Sequence, residues 1–264
     1  MRPFSGFIKR HSLAVFLLFT LITACSSSRP GADAAKNLSA EEIYNEAKAT
    51  LNEESYESAI KQLESLQSRY PYGRYAQQAQ LEIAYAYYKQ NEAESAISAA
   101  DRFIKQYPNN PHVDYAYYLK GLANFHGETG LLGMIGDPTE RDPRAAQESF
   151  AAFKDLVARY PGSKYAPDAR LRMQYLINAL AQYEIHVARY YQRRGAHIAA
   201  VNRAKEVLTL YPNAPATRDA LLILVQGYAA MGMKELRDDA QRVLDKNFPP
   251  DTAAPANMGS EISE

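Results

Sequence analysis

The chain has no tryptophan and a single cysteine among 264 residues. One thiol cannot close an internal disulfide, so the fold must rest on core burial even in an oxidising compartment. An excess of charge of one sign is also missing. The 30 basic residues are matched by 30 acidic ones, which argues against the strongly basic face of a nucleic-acid binder. No apolar run reaches the roughly 18 to 20 residues that span a bilayer as a helix. There is no glycine-rich phosphate loop, and His112, His126, His186 and His197 are scattered without metal-ligand spacing or a nucleophile arrangement. Asp137, Glu140 and Asp142 lie close in sequence, but Pro138, Arg141 and Pro143 among them read as a solvated charged turn. The expectation is a chain that is not an enzyme and that holds neither metal nor cofactor.

What is present begins at the N-terminus. Arg2, Lys9 and Arg10 precede an apolar stretch from Leu13 to Ile22 that ends near Cys25, the layout of a secretory signal. Ile22-Thr23-Ala24-Cys25 resembles a bacterial lipobox, which implies cleavage after residue 24 and lipidation of Cys25. The non-acidic Ser26 that follows implies sorting to the outer membrane. Each buried methylene of an acyl chain contributes about 0.8 kcal/mol, and more than one chain holds a protein on a bilayer stably. The expected location is therefore the periplasmic face of the outer membrane of a Gram-negative bacterium, with a lipid anchor. Removing residues 1–24 takes away Arg2, Lys9 and Arg10 and no acidic residue, leaving 27 basic against 30 acidic, a net charge of minus three.

The organising signal of the remainder is an aromatic-proline pair: Tyr70-Pro71, Tyr107-Pro108, Tyr160-Pro161, Tyr211-Pro212 and Phe248-Pro249. Proline lacks an amide hydrogen and pushes the preceding residue out of helical geometry, so each pair predicts the end of a helix. Eight residues after the first four prolines lie Ala79, Ala116, Ala169 and Ala220. Eleven residues before the closing aromatic lie Ala59, Ala96, Ser149 and Ala200, with Arg237 departing in the fifth unit. Small residues at a repeated position predict close helix packing. Sixteen residues before it lie Asn91, Gly195 and Gly232, the residue types that best tolerate the left-handed conformation after a helix. Each unit reads as helix, turn, helix, and the spacing is the tetratricopeptide pattern.

The predicted fold is all-α, an α-solenoid of five tetratricopeptide repeats, a class whose extended surface usually binds another chain. Its expected organisation is a signal over 1–24, a lipid-anchored tether over 25–39, repeats one and two over 40–111 and repeat three over 112–165. Repeat four follows over 166–215, repeat five over 216–249 and a disordered tail over 250–264. In repeat three the extra residues carry several glycines and prolines and predict an exposed loop over 127–143, bearing Leu131, Leu132, Met134 and Ile135. In repeat four nothing from Asp168 to Arg194 is glycine or proline, and Leu176, Leu180, Tyr183, Val187 and Tyr190 recur at helical spacing. There the extra residues predict a first helix lengthened by about four turns.

Several stretches carry a more specific resemblance. Arg69-Tyr70-Pro71-Tyr72-Gly73-Arg74-Tyr75-Ala76-Gln77-Gln78, Ala86-Tyr87-Tyr88-Lys89, Asp101-Arg102-Phe103-Ile104, Arg194-Gly195-Ala196 and Asn202-Arg203 are similar to the BamD family, the repeat lipoproteins of the bacterial β-barrel assembly machinery. The similarity spans about Glu41 to Leu221 and includes the uneven repeat lengths. It implies an adaptor that joins the barrel-forming subunit through C-terminal repeats, alongside accessory lipoproteins, and helps receive unfolded outer-membrane proteins at N-terminal repeats. The alternative is a periplasmic repeat lipoprotein that scaffolds another envelope machine.

Two groups of residues are candidates for these contacts. On the tetratricopeptide pattern Tyr44, Tyr85, Tyr88, Lys89, Tyr115, Tyr118 and Phe125 face a groove. Rigid aromatics with a nearby cation suit an extended apolar segment that ends in a carboxylate, as the aromatic terminal strand of a barrel protein does. Packing of these rings helix on helix is the competing account. Arg189, Arg193 and Arg194 fall in the last turns of the long helix, where cations complement the helix dipole. Arg194 and Arg203 also match the family's motifs in the region that the resemblance assigns to docking the barrel subunit, and the planar guanidinium fork can pair a carboxylate through two hydrogen bonds.

Overall fold

A computed structural model describes residues 38–129 and 143–249, without the side chains of 126–129. Cys25, the tether as far as residue 37, most of the loop 127–143 and the tail from residue 250 lie outside the described residues. Within them the chain forms ten helices and no strand. They are α1 (Ala40–Asn52), α2 (Tyr56–Arg69), α3 (Arg74–Lys89), α4 (Ala93–Gln106), α5 (Val113–Thr129), α6 (Arg144–Arg159), α7 (Ala166–Arg193), α8 (His197–Leu210), α9 (Thr217–Ala230) and α10 (Lys234–Asn247).

Every second helix ends at the residue before an aromatic-proline pair. Tyr70, Tyr107, Tyr160, Tyr211 and Phe248 cap α2, α4, α6, α8 and α10, each with φ near −130°. Each capping amide still donates to the carbonyl four residues back, Tyr70 to Leu66 and Tyr107 to Phe103 at 2.8 Å. The proline that follows has no amide to continue the ladder, so the chain turns and starts the next unit. Tyr70 adds a tertiary bond: its hydroxyl donates to the Leu38 carbonyl at 2.8 Å, pinning the start of the described chain to the end of the first unit. Helix α1 opens with a capping box, in which Ser39 Oγ accepts from the Glu42 amide and Glu42 Oε2 accepts from the Ser39 amide at 2.8 Å. That Ser-x-x-Glu signal is legible in the sequence.

The turns inside the units follow backbone chirality. Asn91, Gly195 and Gly232 have φ of 61°, 71° and 74°. Glu54, sixteen residues before Tyr70, occupies the same repeat position and takes φ 59° although it is neither glycine nor asparagine. Here the register dictates the conformation and the residue accepts it.

Helices pack on their neighbours in sequence, and α1 also touches α3, α3 touches α5, and α7 touches α9. The repeated alanines make the close approaches: Ala79, Ala116, Ala169 and Ala220 are wholly buried, as are Ala59, Ala200 and Ser149. Ser149 keeps its alanine-sized place by donating its hydroxyl to the Gly121 carbonyl at 2.9 Å, so the buried polar group is satisfied. Arg237 is partly exposed at the equivalent place in α10, the last of the described helices.

The core divides into three clusters. Units one and two, with Val113, Ala116 and Leu119 of α5, form the first. Leu122, Phe153, Leu156, Leu176 and Leu180 belong to the second. Ala181, Ile185 and Ala188 begin the third, which continues through α8, α9 and α10. Burying each of the larger side chains, such as Phe103, Phe153 or Leu176, contributes about 1.5–3 kcal/mol. Helix α7 has 28 residues, twelve more than α3 and fourteen more than α9. The extension is thus a little over three turns against α3 and about four against α9, and it carries one helix through two clusters.

Candidate functional site

The first helices of units one to three, α1, α3 and α5, carry all seven groove candidates, and the first helix of unit four, α7, packs its N-terminal end beside those on α5. At the junction of units one and two, Tyr44 donates its hydroxyl to Glu82 Oε1 at 3.3 Å, and Lys48 Nζ donates to the same oxygen at 2.7 Å. The Tyr44 ring lies 5.5 Å from that of Tyr75. Burial first, and the Glu82 carboxylate next, push the Tyr44 phenol well above its ordinary range. Tyr85 and Tyr88 are half-buried against the core of the first two units. Lys89 faces two phenols, Tyr56 first and Tyr85 next, which together hold its ammonium above its ordinary range. Its ammonium lies 5.9 Å over the ring of Tyr56, on the second helix of unit one, so that contact directs the cation toward α2.

At the junction of units three and four the aromatics converge. The Tyr118 and Tyr165 rings stack at 4.7 Å with 18° between their planes, and Tyr115 lies 5.1 Å from Tyr165. Tyr118 donates its hydroxyl to Asp168 Oδ2 at 2.6 Å, and Arg172 Nε donates to that oxygen at 2.5 Å. The Arg172 guanidinium lies 4.7 Å over Phe125, whose ring meets Tyr175 edge-on at 5.6 Å. Burial and then the hydrogen bond to Asp168 push the Tyr118 phenol up to about 12. Burial acts to raise the Asp168 carboxyl, but the bonds from Arg172 and Tyr118 outweigh it and hold the carboxyl below its ordinary value.

Tyr165, Asp168, Arg172 and Tyr175 are members of this cluster that sequence reasoning missed. A signal for one of them exists: Asp168 directly precedes the repeated Ala169, as Asp219 precedes Ala220. Both accept from the first helix of the preceding unit, Asp168 from Tyr118 and Asp219 from Arg189 at 3.0 Å. Arg189 therefore has a carboxylate partner on the next unit in addition to the dipole of its own helix.

The two docking candidates occupy different settings. Arg194 caps α7 and lies 4.8 Å over the ring of Tyr190, itself well exposed. Arg203, on α8, places Nη1 3.1 Å from Glu184 Oε2 and 3.4 Å from Glu206 Oε2. Its guanidinium is thus engaged within the unit, a partnership absent from the sequence expectation.

A family model described as an outer membrane lipoprotein, YfiO, matches residues 36–243. The chain is 42% identical over 246 residues to the outer membrane protein assembly factor BamD of Neisseria meningitidis serogroup A, strain Z2491, covering 92% of each. It is 40% identical over 243 residues to the BamD of Xylella fastidiosa strain Temecula1, covering 90% of this chain and 82% of that one. Against the BamD of Vibrio cholerae strain N16961 the identity is 34% over 242 residues, covering 91% and 99%. The chain belongs to the BamD family. The span matched by the family model holds every groove and docking candidate from Tyr44 to Arg203, whereas Cys25 precedes it. Among the described residues of this BamD-family chain no helix is long and apolar enough to cross a membrane.

Proposed function

We propose that this BamD-family chain is a lipid-anchored adaptor of outer-membrane protein assembly, receiving an extended strand of an unfolded barrel protein on the first-helix face of units one to four. The observation that carries the reading is the strip of half-buried tyrosines from Tyr44 through Tyr85, Tyr88, Tyr115 and Tyr118 to Tyr165. Each ring has one side packed and part of its surface still reachable, so it offers contact area with little entropy left to lose. Pairs with Glu82 and Asp168 hold the strip's two ends in place. A strand of alternating apolar residues has the matching chemistry.

In the same reading Cys25 carries the lipid that keeps the chain at the periplasmic face of the outer membrane. Units four and five join the barrel-forming subunit of the machinery, with Arg194 and Arg203 at the docking face and accessory lipoproteins in the same complex. The names of the relatives support a role in outer membrane protein assembly, and none of them points to a different envelope machine.

Photocrosslinking amino acids placed at Tyr85 and Tyr118 test the groove. Capture of a synthetic terminal strand of a barrel protein from both positions, with no capture from the equally tyrosine-rich but outward Tyr72, which is 90% exposed, is the expected result. Equal labelling at Tyr72 would reduce the strip to general stickiness. Co-purification of the mature lipoprotein in mild detergent tests the docking face, with a large barrel protein as the expected partner.

A further inference from the structure

We infer that Arg172 reads the free C-terminal carboxylate of the bound strand, with Leu171 and Tyr175 receiving the apolar side chain of that same last residue. The inference rests on the reading that the first-helix face holds a terminal strand, and it adds which atom of the ligand the face selects. Lys89, the cation expected in the groove, lies over Tyr56. Arg172 and Lys164 are the cations that the fold brings to the aromatic cluster, over Phe125 and Tyr165, and of the two Arg172 presents a planar fork already held by a carboxylate.

The guanidinium is fixed before any ligand arrives. Its Nε is held by Asp168, whose same oxygen also takes the Tyr118 hydroxyl, and its flat side lies over Phe125. What remains is the Nη1/Nη2 end of the fork, which has no carboxylate partner among the described residues. That end can take both oxygens of a carboxylate at once, and an arginine already held in place loses little freedom in doing so. The side chain keeps 29% of its surface exposed.

The surroundings choose the kind of carboxylate. Leu171 is 73% exposed and Tyr175 46% exposed, and as residues i and i+4 they share one face of α7. Exposed apolar side chains of this size beside a positioned cation call for a ligand with an apolar side chain and a carboxylate on one residue. An aspartate or glutamate within a strand presents its charge without that apolar partner. A chain-terminal aromatic residue presents both.

The test uses the full mature chain in detergent and a fluorescent ten-residue peptide, alternating apolar and polar, that ends in phenylalanine. The peptide is made as the free acid and as the amide. Anisotropy titrations are expected to show the acid binding at least about tenfold more tightly than the amide. Arg172→Gln should erase that difference by weakening only the acid. Arg172→Lys should retain part of it, because a point charge remains while the fork is lost. Leu171→Ser, outside the ion pair, should weaken acid and amide alike. Equal binding of acid and amide by the unaltered chain would overturn the role of Arg172 and leave the groove standing. Binding of neither would overturn both. If Arg172→Gln fails to fold, the comparison of acid with amide on the unaltered chain still decides.

Discussion

Arg203 Nη1 stands 3.1 Å from Glu184 Oε2, joining α8 to the extended part of α7. Only 13% of the Glu184 side chain is exposed, against 39% for Arg203, and the second carboxylate, Glu206, lies 3.4 Å from the same nitrogen. Burial, the largest influence, holds the Glu184 carboxyl above its ordinary value of 4.5, with Arg203 pulling the other way.

Arg203→Gln should therefore lower stability in a pH-dependent way. A carboxyl whose folded pKa is raised holds its proton more tightly folded than unfolded, so stability falls as pH rises from about 4.5 through the folded value. Removing the cation raises that value further and steepens the fall. The expected loss, about 1 kcal/mol near pH 7.5 once solvent screening is allowed for, shrinks toward pH 4.5. Urea unfolding at the two pH values checks it, and an equal loss at both would contradict it. Arg203→Glu would instead set three carboxylates together, so it disturbs the fold as well as any docking and is a poor probe of docking alone.

Gly121 and Phe153 share space. A Cβ on Gly121 would lie 2.4 Å from Phe153 Cε1, and Phe153 is wholly buried. Gly121→Ala should cost about 1–3 kcal/mol by overpacking. Combined with Phe153→Leu it should cost less than the sum of the two single changes. Thermal melts of the three variants decide, and strictly additive losses would mean that the ring gives way freely.

Glu54 and Gly195 occupy one repeat position with φ of 59° and 71°. A Cβ on Gly195 would meet nothing within 4 Å, so Gly195→Ala should introduce only the left-handed backbone strain, about 1–2 kcal/mol, offset by the roughly 0.5–1 kcal/mol by which glycine's extra freedom favours the unfolded chain. Glu54→Gly should show the same difference with the opposite sign. Melting shifts of opposite sign are expected, and a fall in both would refute the account.

Tyr118→Phe removes one of the two donors to Asp168 Oδ2. The carboxyl lies below its ordinary 3.8 because Arg172 and Tyr118 overcome the effect of burial. Stability from a depressed carboxyl is present above the unfolded value and is lost as pH falls through the folded one. The variant should be about 1 kcal/mol less stable at neutral pH, with the gap closing below pH 4. A gap that persists at pH 3 would place the cost in ring packing.

The repeat register was legible because it is written in backbone requirements. Proline ends α2 and α4 wherever it falls, and Gly195 and Gly232 mark left-handed turns by what they lack. Glu54 shows the limit: the register reaches it, but residue type is silent. That Tyr44, Tyr85 and Tyr118 fall on first helices could be read from the register as well. The contacts of Asp168 and Arg172 could not, because their partners Tyr118 and Phe125 lie in another unit, fifty residues earlier in the case of Tyr118. Glu184 was hidden for a different reason: it sits in the lengthened part of α7, where no other repeat supplies a template for which side faces inward.

Leu176 and Leu180 line one core and Ala181, Ile185 and Ala188 the next, with no break in α7 between them. A repeat array ordinarily frays one unit at a time, because each interface stands on its own. Here the loss of either core strips a wall from the other, so the second and third cores should open together as one block, with no seam at the boundary between units three and four. A partner that grips the last turns of α7 near Arg194 thereby raises the opening free energy of the whole block, including the cluster at the far end of that helix where Asp168 meets Tyr118.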